Sequence, residues 1–258
     1  HLPLLRNNDA NKTKLSKRKN PTSINYFRRA GYLPEVLVNF LALMGVSRAE
    51  GEEKFSLEEF ISDFELEYVT LGGPVFDIDK LRWLNGRYVR EDHDTEQLRE
   101  ALKAWALNDQ MIDAIVPIAK PRLETLADWG ALTGLFFTDE VEIDPADLEL
   151  KGKTPAELME IFQMAIWRFE ELRAWTVENI EQVLRDLGER LDIKMRDLTR
   201  PFYVAMSGRT ASTPLFDSLA ILGSDLTRVR LRRAIDLLGG LGGKKMKKLE
   251  KRYGEWFS

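Results

Sequence analysis

The run Lys12-Thr13-Lys14-Leu15-Ser16-Lys17-Arg18-Lys19 carries five basic residues and no acid. Ammonium groups on a short loop, with backbone N–H groups beside them, meet a polyphosphate by charge and not by proton transfer. The same residues also suit a solvated basic loop or a localisation-type patch. A second basic island runs from Arg228 to Arg252, with ten Lys or Arg against Asp236 and Glu250. The whole chain has a net charge of −4, so both islands sit on an acidic body. Two such islands suit two meetings with a polyanion, and each alone also reads as a solvated face.

A different chemistry is offered by Ser207-Gly208-Arg209-Thr210-Ala211-Ser212, a turn that leads into Thr213-Pro214-Leu215-Phe216. A helix start presents free N–H groups and a partial positive charge. Small hydroxyls there can bond the edges of unstacked RNA bases, and an ordinary cap beside a turn reads the same way. Tyr253, Trp256 and Phe257 suit either a base-stacking platform or a terminal helix tucked onto a core. There is no nucleophile elbow, no Walker A loop and no dinucleotide glycine fingerprint. With no Cys, disulfides and thiolate metal sites are excluded, and a reducing, cytoplasmic compartment fits. His1 and His93 are too few for an imidazole metal cluster. Carboxylates abound, but they fall in capped, solvated helical patterns, and no pair stands out as acid and base.

The elements that must position these residues are mostly helices. Thr22 to Ala30 predicts a short helix stopped by Gly31. Pro34 opens another, with Leu37, Phe40, Leu41 and Met44 at helical spacing and Gly45 at its end, apolar enough to be mostly buried. Ser56 with Glu59, Asp94 with Gln97, and Thr154 with Pro155 and Glu157 are capping boxes. Gly72-Gly73-Pro74 breaks the chain, Val75-Phe76 is extended, and Asp79 caps a helix to Gly86. Pro117 and Pro121 interrupt or end a short helix around Ile112 to Val116. Val141 to Lys153 reads as an irregular acidic linker. Thr176 opens a helix, Pro201 to Met206 is a shorter apolar piece, and Gly223 closes the helix opened at Thr213-Pro214. Ser224 or Asp225 caps the last long helix, and Gly239 to Gly243 breaks it. No internal repeat appears.

The expected fold is therefore mainly α: a small α+β unit over 1–92, a helical bundle over 93–147 and a helical cage over 148–258. With 258 residues and 44% hydrophobic content the chain can bury sizeable cores, and no apolar run reaches a membrane span.

The run Leu2-Pro3-Leu4-Leu5-Arg6-Asn7, the stretch from Lys14 to Ile24, and Tyr32 to Gly45 closely resemble bacterial glutamyl-tRNA synthetases. Lys14-Leu15-Ser16-Lys17-Arg18 resembles the KMSKS loop of class I aminoacyl-tRNA synthetases, with Leu for Met and Arg for the final Ser. The likeness continues through Phe76 to Asn85 and through Ser207-Gly208-Arg209 to Phe216, and spans essentially the whole chain. It implies a stem-contact domain carrying the loop, followed by two helical domains that hold the anticodon. It also implies that the chain is the C-terminal portion of such an enzyme. No HIGH-type element or glutamate pocket is present in the sequence, so inactivity on its own is expected.

The resemblance implies that Lys14, Leu15, Ser16, Lys17 and Arg18 shape a loop over ATP, bound with Mg2+. Lys17 would stabilise charge on the leaving pyrophosphate as the catalytic residue. It implies that Arg122, Arg209, Ser212, Thr213, Pro214 and Leu215 read the anticodon of tRNA(Glu). No metal or cofactor would be held by this chain itself, ATP and glutamate would come through a further catalytic domain, and a monomer is expected. The alternative is a tRNA-binding helical module without catalytic role. A glutaminyl enzyme fits less well, since residues 93–258 have helical periodicity where that family implies β-barrels.

Overall fold

The computed structural model describes residues 4–16, 22–46 and 53–257, and all statements about structure concern these. They divide into two compact units, His1–Asn108 and Asp109–Ser258. The architecture is mainly α, as expected, with one two-stranded sheet.

In the first unit, β1 (Arg6–Asn7) pairs in parallel with β2 (Val75–Phe76), Arg6 opposite Val75 and Asn7 opposite Phe76. Ser23 caps α1 (Ile24–Arg29) by accepting from the Asn25 N–H. Pro34 starts α2 (Pro34–Gly45), which buries Val36, Asn39 and Phe40. Leu41 stays 47% exposed, so this helix is apolar on its outer face as well and is less buried than its composition suggests. The Ser56–Glu59 capping box opens α3 (Leu57–Asp63) with both reciprocal bonds formed.

Asp77, not Asp79, caps α4 (Ile78–Glu91), because its carboxylate takes the N–H groups of both Asp79 and Lys80. This helix runs on past Gly86, where the sequence suggested an end. Tyr88, one turn beyond, is held by its hydroxyl 2.7 Å from Asn39 Oδ1 and 2.8 Å from the Phe55 carbonyl. A satisfied buried phenol outweighs the modest cost of one glycine in a helix. The Asp94–Gln97 box opens α5 (Thr95–Trp105). Trp105 donates its indole N–H to the Arg28 carbonyl at 3.1 Å, and its ring would crowd a Cβ at Gly31 to 3.2 Å, where a φ of +81° already favours glycine. The aromatic centre is Phe27, Phe40 and Phe76, with Leu81 and Leu84 fully buried beside them.

The second unit begins with α6 (Asp109–Ala119), which carries Pro117 inside it instead of ending there. The carbonyl that loses its N–H partner belongs to exposed Asp113, where water can serve it. A 3-10 turn, Lys120–Arg122, leads to α7 (Asp128–Thr133) and a second 3-10 turn, Gly134–Phe137. The acidic stretch after it is not a free linker. Val141, Ile143, Leu148 and Leu150 are buried, while Glu142 and Asp144 between them face out.

The core is built from α8 (Pro155–Glu170), α9 (Val177–Leu191), α10 (Met195–Ser207) and α11 (Leu215–Leu237). Phe162 and Phe202 meet edge to face at 5.1 Å, both fully buried. The apolar piece 201–206 is the second half of α10, which starts six residues earlier and accommodates Pro201 internally. Gly223 breaks the helical path of α11 with φ 82°, ψ 164°, a conformation open to glycine. The terminal α12 (Gly243–Phe257) is tucked against the body: Tyr253 packs on Trp167 at 5.0 Å and bonds Glu171. Burial and that carboxylate together push the Tyr253 phenol well above its usual value. No helix among the described residues is long and apolar enough to cross a membrane.

Candidate nucleic-acid interface

The Lys14 loop is stapled at its entry. Asp9 folds back the segment after β1, accepting from the N–H groups of Asn11 and Thr13 and from the Thr13 hydroxyl at 2.5 Å. The Thr13 hydroxyl and N–H hold the Asp9 carboxyl below its usual value. Asn7 N–H bonds the Thr13 carbonyl at 2.7 Å, Leu15 N–H bonds the Leu5 carbonyl at 2.9 Å, and Lys14 bridges to Arg6. Lys14 is exposed, and Leu15 and Ser16 are half-buried. Lys17 and Arg18 lie outside the described residues.

In the second unit the turn after α10 is fixed from three sides. Ser207 donates its hydroxyl to the Tyr203 carbonyl at 2.8 Å and receives the Arg209 N–H at 3.3 Å. Gly208 adopts φ +69°, and a Cβ there would lie 2.1 Å from the Glu142 carbonyl oxygen, so only glycine fits. Below the turn lies Arg230, 1% exposed, on α11. It donates to the carbonyls of Met206 at 2.5 Å, Leu135 at 2.8 Å and Thr138 at 2.7 Å. One guanidinium thus ties together the end of α10, the second 3-10 turn and the start of the acidic stretch.

Those three segments line a cleft of about 710 Å³. Gly130, Ala131 and Gly134 add almost no side chain to its lining, and Arg209 and Ser212 belong to the same lining. The Arg209 guanidinium has no protein partner among the described residues. Glu142 and Asp144 border the cleft and are exposed. Carboxylates repel phosphate and tolerate neutral hydrogen-bonding groups, so the cleft suits a base edge better than a backbone.

The expected reading residues separate into three groups. Arg209 and Ser212 are together at the cleft. Thr213 and Leu215, at 1% and 3% exposure, are part of the core, and they correct the expectation that both face a ligand. The Thr213 hydroxyl is spent on Ser218 Oγ at 2.8 Å, and Ser218 in turn bonds the Pro214 carbonyl. No side chain caps α11; its first N–H, from Leu215, goes to the Tyr203 hydroxyl at 3.2 Å. Pro214 is half-buried at that start. Arg122 is exposed at the end of its 3-10 turn and is not among the cleft residues. After it, Asp128 gathers the N–H groups of Glu124 and Thr125, which hold its carboxyl below the usual value. The small-residue lining was missed from sequence, because two glycines and an alanine carry no chemical signal until the rest of the cleft is known.

The second unit is thus a helical domain with one fixed turn beside an open cleft. The family described as "Anticodon binding domain" matches residues 95–235, and the chain belongs to it. The description "tRNA synthetases class I (E and Q), catalytic domain" matches residues 1–83. The chain is 48% identical over 255 residues to a glutamate–tRNA ligase of Psychrobacter cryohalolentis, covering 99% of this chain and 50% of that protein. It is 44% identical over 253 residues to a glutamate–tRNA ligase of Saccharophagus degradans, covering 98% and 50%. The chain therefore spans about half the length of the curated relatives it matches. A crystal structure of a glutamate tRNA ligase from Elizabethkingia meningosepticum matches with 24% identity and a TM-score of 0.47, over 92% of this chain and 51% of that one.

Proposed function

We propose that the chain is the tRNA-binding half of a glutamate–tRNA ligase, an enzyme that activates glutamate with ATP and passes it to tRNA(Glu). The observation that carries this reading is the cleft itself: an unpaired guanidinium and a hydroxyl in one lining with two glycines and an alanine, inside a match to an anticodon-binding domain. The bare lining leaves room for an unstacked base, and Arg209 and Ser212 supply donors to its edge. Residues 1–92 would contact the acceptor-side stem, with 93–147 and 148–258 as the two parts of the anticodon region.

The segment Lys14 to Arg18 would close over ATP, with Lys17 meeting the pyrophosphate charge. Magnesium would arrive on the nucleotide's own phosphate oxygens, since the described residues hold no carboxylate or imidazole group suited to a metal. Ligation would need the portion of the relatives that this chain does not span, and the working compartment would be the cytoplasm. We expect no ATP–pyrophosphate exchange from residues 1–258 alone.

The decisive measurement is binding of the chain to a tRNA(Glu) anticodon stem-loop and to the same hairpin with altered anticodon bases. R209A should reduce the preference for the cognate hairpin about tenfold to a hundredfold, the cost of one good bidentate contact. Equal loss on every hairpin would remove Arg209 from base reading and leave the proposed site without its reader.

A further inference from the structure

A second cleft, of about 630 Å³, takes Thr210 of the same turn into its lining. Lys151, Lys194, Arg196 and Arg200 line it, with Tyr203 and Thr210. Three separate stretches of chain supply these groups, so no basic run in the sequence announces them. Asp197 is the one carboxylate on the lining, and Glu149 pairs with Arg200 at 2.9 Å. Lys151, Lys194 and Arg196 have no carboxylate within ion-pair distance among the described residues. All four cations are exposed.

Two further features point into polyanion chemistry. Lys194 stands where α10 begins, with no side chain capping that end. The first helical N–H groups there add partial positive charge to the cationic lining. Tyr203 accepts the Leu215 N–H, and its own proton has no protein acceptor among the described residues. It is oriented by the start of α11 and has a donor to spare.

The two clefts divide the chemistry of a nucleotide between them. Arg209 and Ser212 line the first cleft, which is bordered by carboxylates, and Thr210 lines the second, which is bordered by cations. We propose that the cationic cleft seats the phosphodiester backbone of the RNA strand whose bases are read at the adjoining turn. This rests on the RNA-binding reading above, but it assigns a separate task to separate residues. Arg209 discriminates, and Lys194, Arg196 and Arg200 supply the affinity that is blind to sequence.

The test is the salt dependence of RNA binding by the full chain, using the cognate and base-altered hairpins. Each phosphate contact to a single strand contributes a slope of about −0.7 in log K against log salt, so K194Q/R196Q/R200Q should flatten the slope by about 2. Binding should weaken at least about tenfold, by the same factor on both hairpins. None of the three is buried, so the thermal midpoint should hold within a few degrees.

The control is K244Q/K245Q/K248Q on α12, which removes as much charge from an exposed helix face. An unchanged slope in the cleft variant overturns the proposal. So does an equal loss from the α12 variant, which would show general charge and no seat. A loss confined to the cognate hairpin also overturns it, by making these residues base readers. If the wild-type chain binds both hairpins alike, the anticodon reading fails while the slope comparison still decides the cleft. If the wild-type chain binds neither hairpin, both readings fall.

Discussion

The arginines of α11 and the cations of the second cleft are opposite uses of the same charge. Arg228, Arg230, Arg232 and Arg233 lie within six residues and supply four of the ten basic groups of the island seen in the sequence. The fold spends all four internally. Arg228 and Arg232 converge on Glu170 at 3.1 and 3.0 Å, Arg233 reaches Glu140, and Arg230 is buried on three carbonyls. Lys151, Lys194 and Arg196 are scattered in the sequence, gathered in space, and left without anions. Charge that is dense along the chain need not be charge on offer. What decides is whether the fold supplies partners: all four α11 arginines have them, whereas in the cleft Glu149 takes Arg200 and the other three cations have none among the described residues.

The comparison is broken most severely at Arg230. R230A would take the guanidinium donor from two buried carbonyls and one half-buried one, in the place where α10, α11 and the cleft lining meet. Hydrogen bonds to charged groups are individually strong, and orphaned buried acceptors bear the full desolvation cost. We expect a loss of about 3–5 kcal/mol in the second unit, read by urea unfolding, with RNA binding lost through the fold. R230K should recover little, since a single ammonium cannot reproduce the planar fork.

A smaller effect is expected at Glu170. E170Q would leave Arg228 and Arg232 facing one another without their shared anion, although Asp225 still holds Arg228 at 2.6 Å. Burial already pulls the Arg232 guanidinium below its usual value, and Glu170 is the main force opposing that. The half-buried site suggests a loss of about 1–2 kcal/mol. The salt slope of RNA binding should not change. A slope that did change would mean these arginines are available to polyanions after all, and would undo the contrast.

What the sequence revealed follows the same division between local and gathered. The capping boxes at Ser56, Asp94 and Thr154 are all formed with both reciprocal bonds, because a box is settled within four residues. The helix break at Gly223 and the turn at Gly208 were legible for the same reason. Local signals failed where a distant partner outbid them. Gly86 does not end α4, because Tyr88 is paid by Asn39 from another helix. Thr213 has the type and position of a cap, yet its hydroxyl turns inward to Ser218. The stretch from Val141 to Leu150 looked like a linker because its acids hide an alternating apolar set. Of the candidate site, Arg209 and Ser212 were readable as a turn beside a helix start, whereas the glycine lining and the cationic cleft exist only once the helices have packed.

The contrast can be sharpened by pH, because ion pairs titrate and carbonyls do not. In the first unit Glu91 accepts from Arg87 Nε at 2.9 Å and from Lys54 Nζ at 2.9 Å, and Lys54 also meets Asp92 at 2.5 Å. The Arg87 bond first, and the Lys54 bond second, hold the Glu91 carboxyl down at about 2, against an ordinary 4.5. A carboxyl depressed in the folded state contributes stability that is present above about pH 4.5 and lost as pH falls toward about 2. The group is exposed, so the effect is the smallest of the set. Its expected signature is a decline of first-unit stability across that window, followed through Trp83 and Trp105 with the other tryptophans replaced. E91Q should flatten that decline and leave stability at neutral pH slightly lower. Arg230 is held by the carbonyls of Met206, Leu135 and Thr138, which do not titrate, so R230A should cost the second unit nearly the same at pH 3 as at pH 7. If its cost instead fell with acid, a titrating partner would have to be part of that cluster, and the distinction between charge paired to anions and charge pinned on backbone would not hold there.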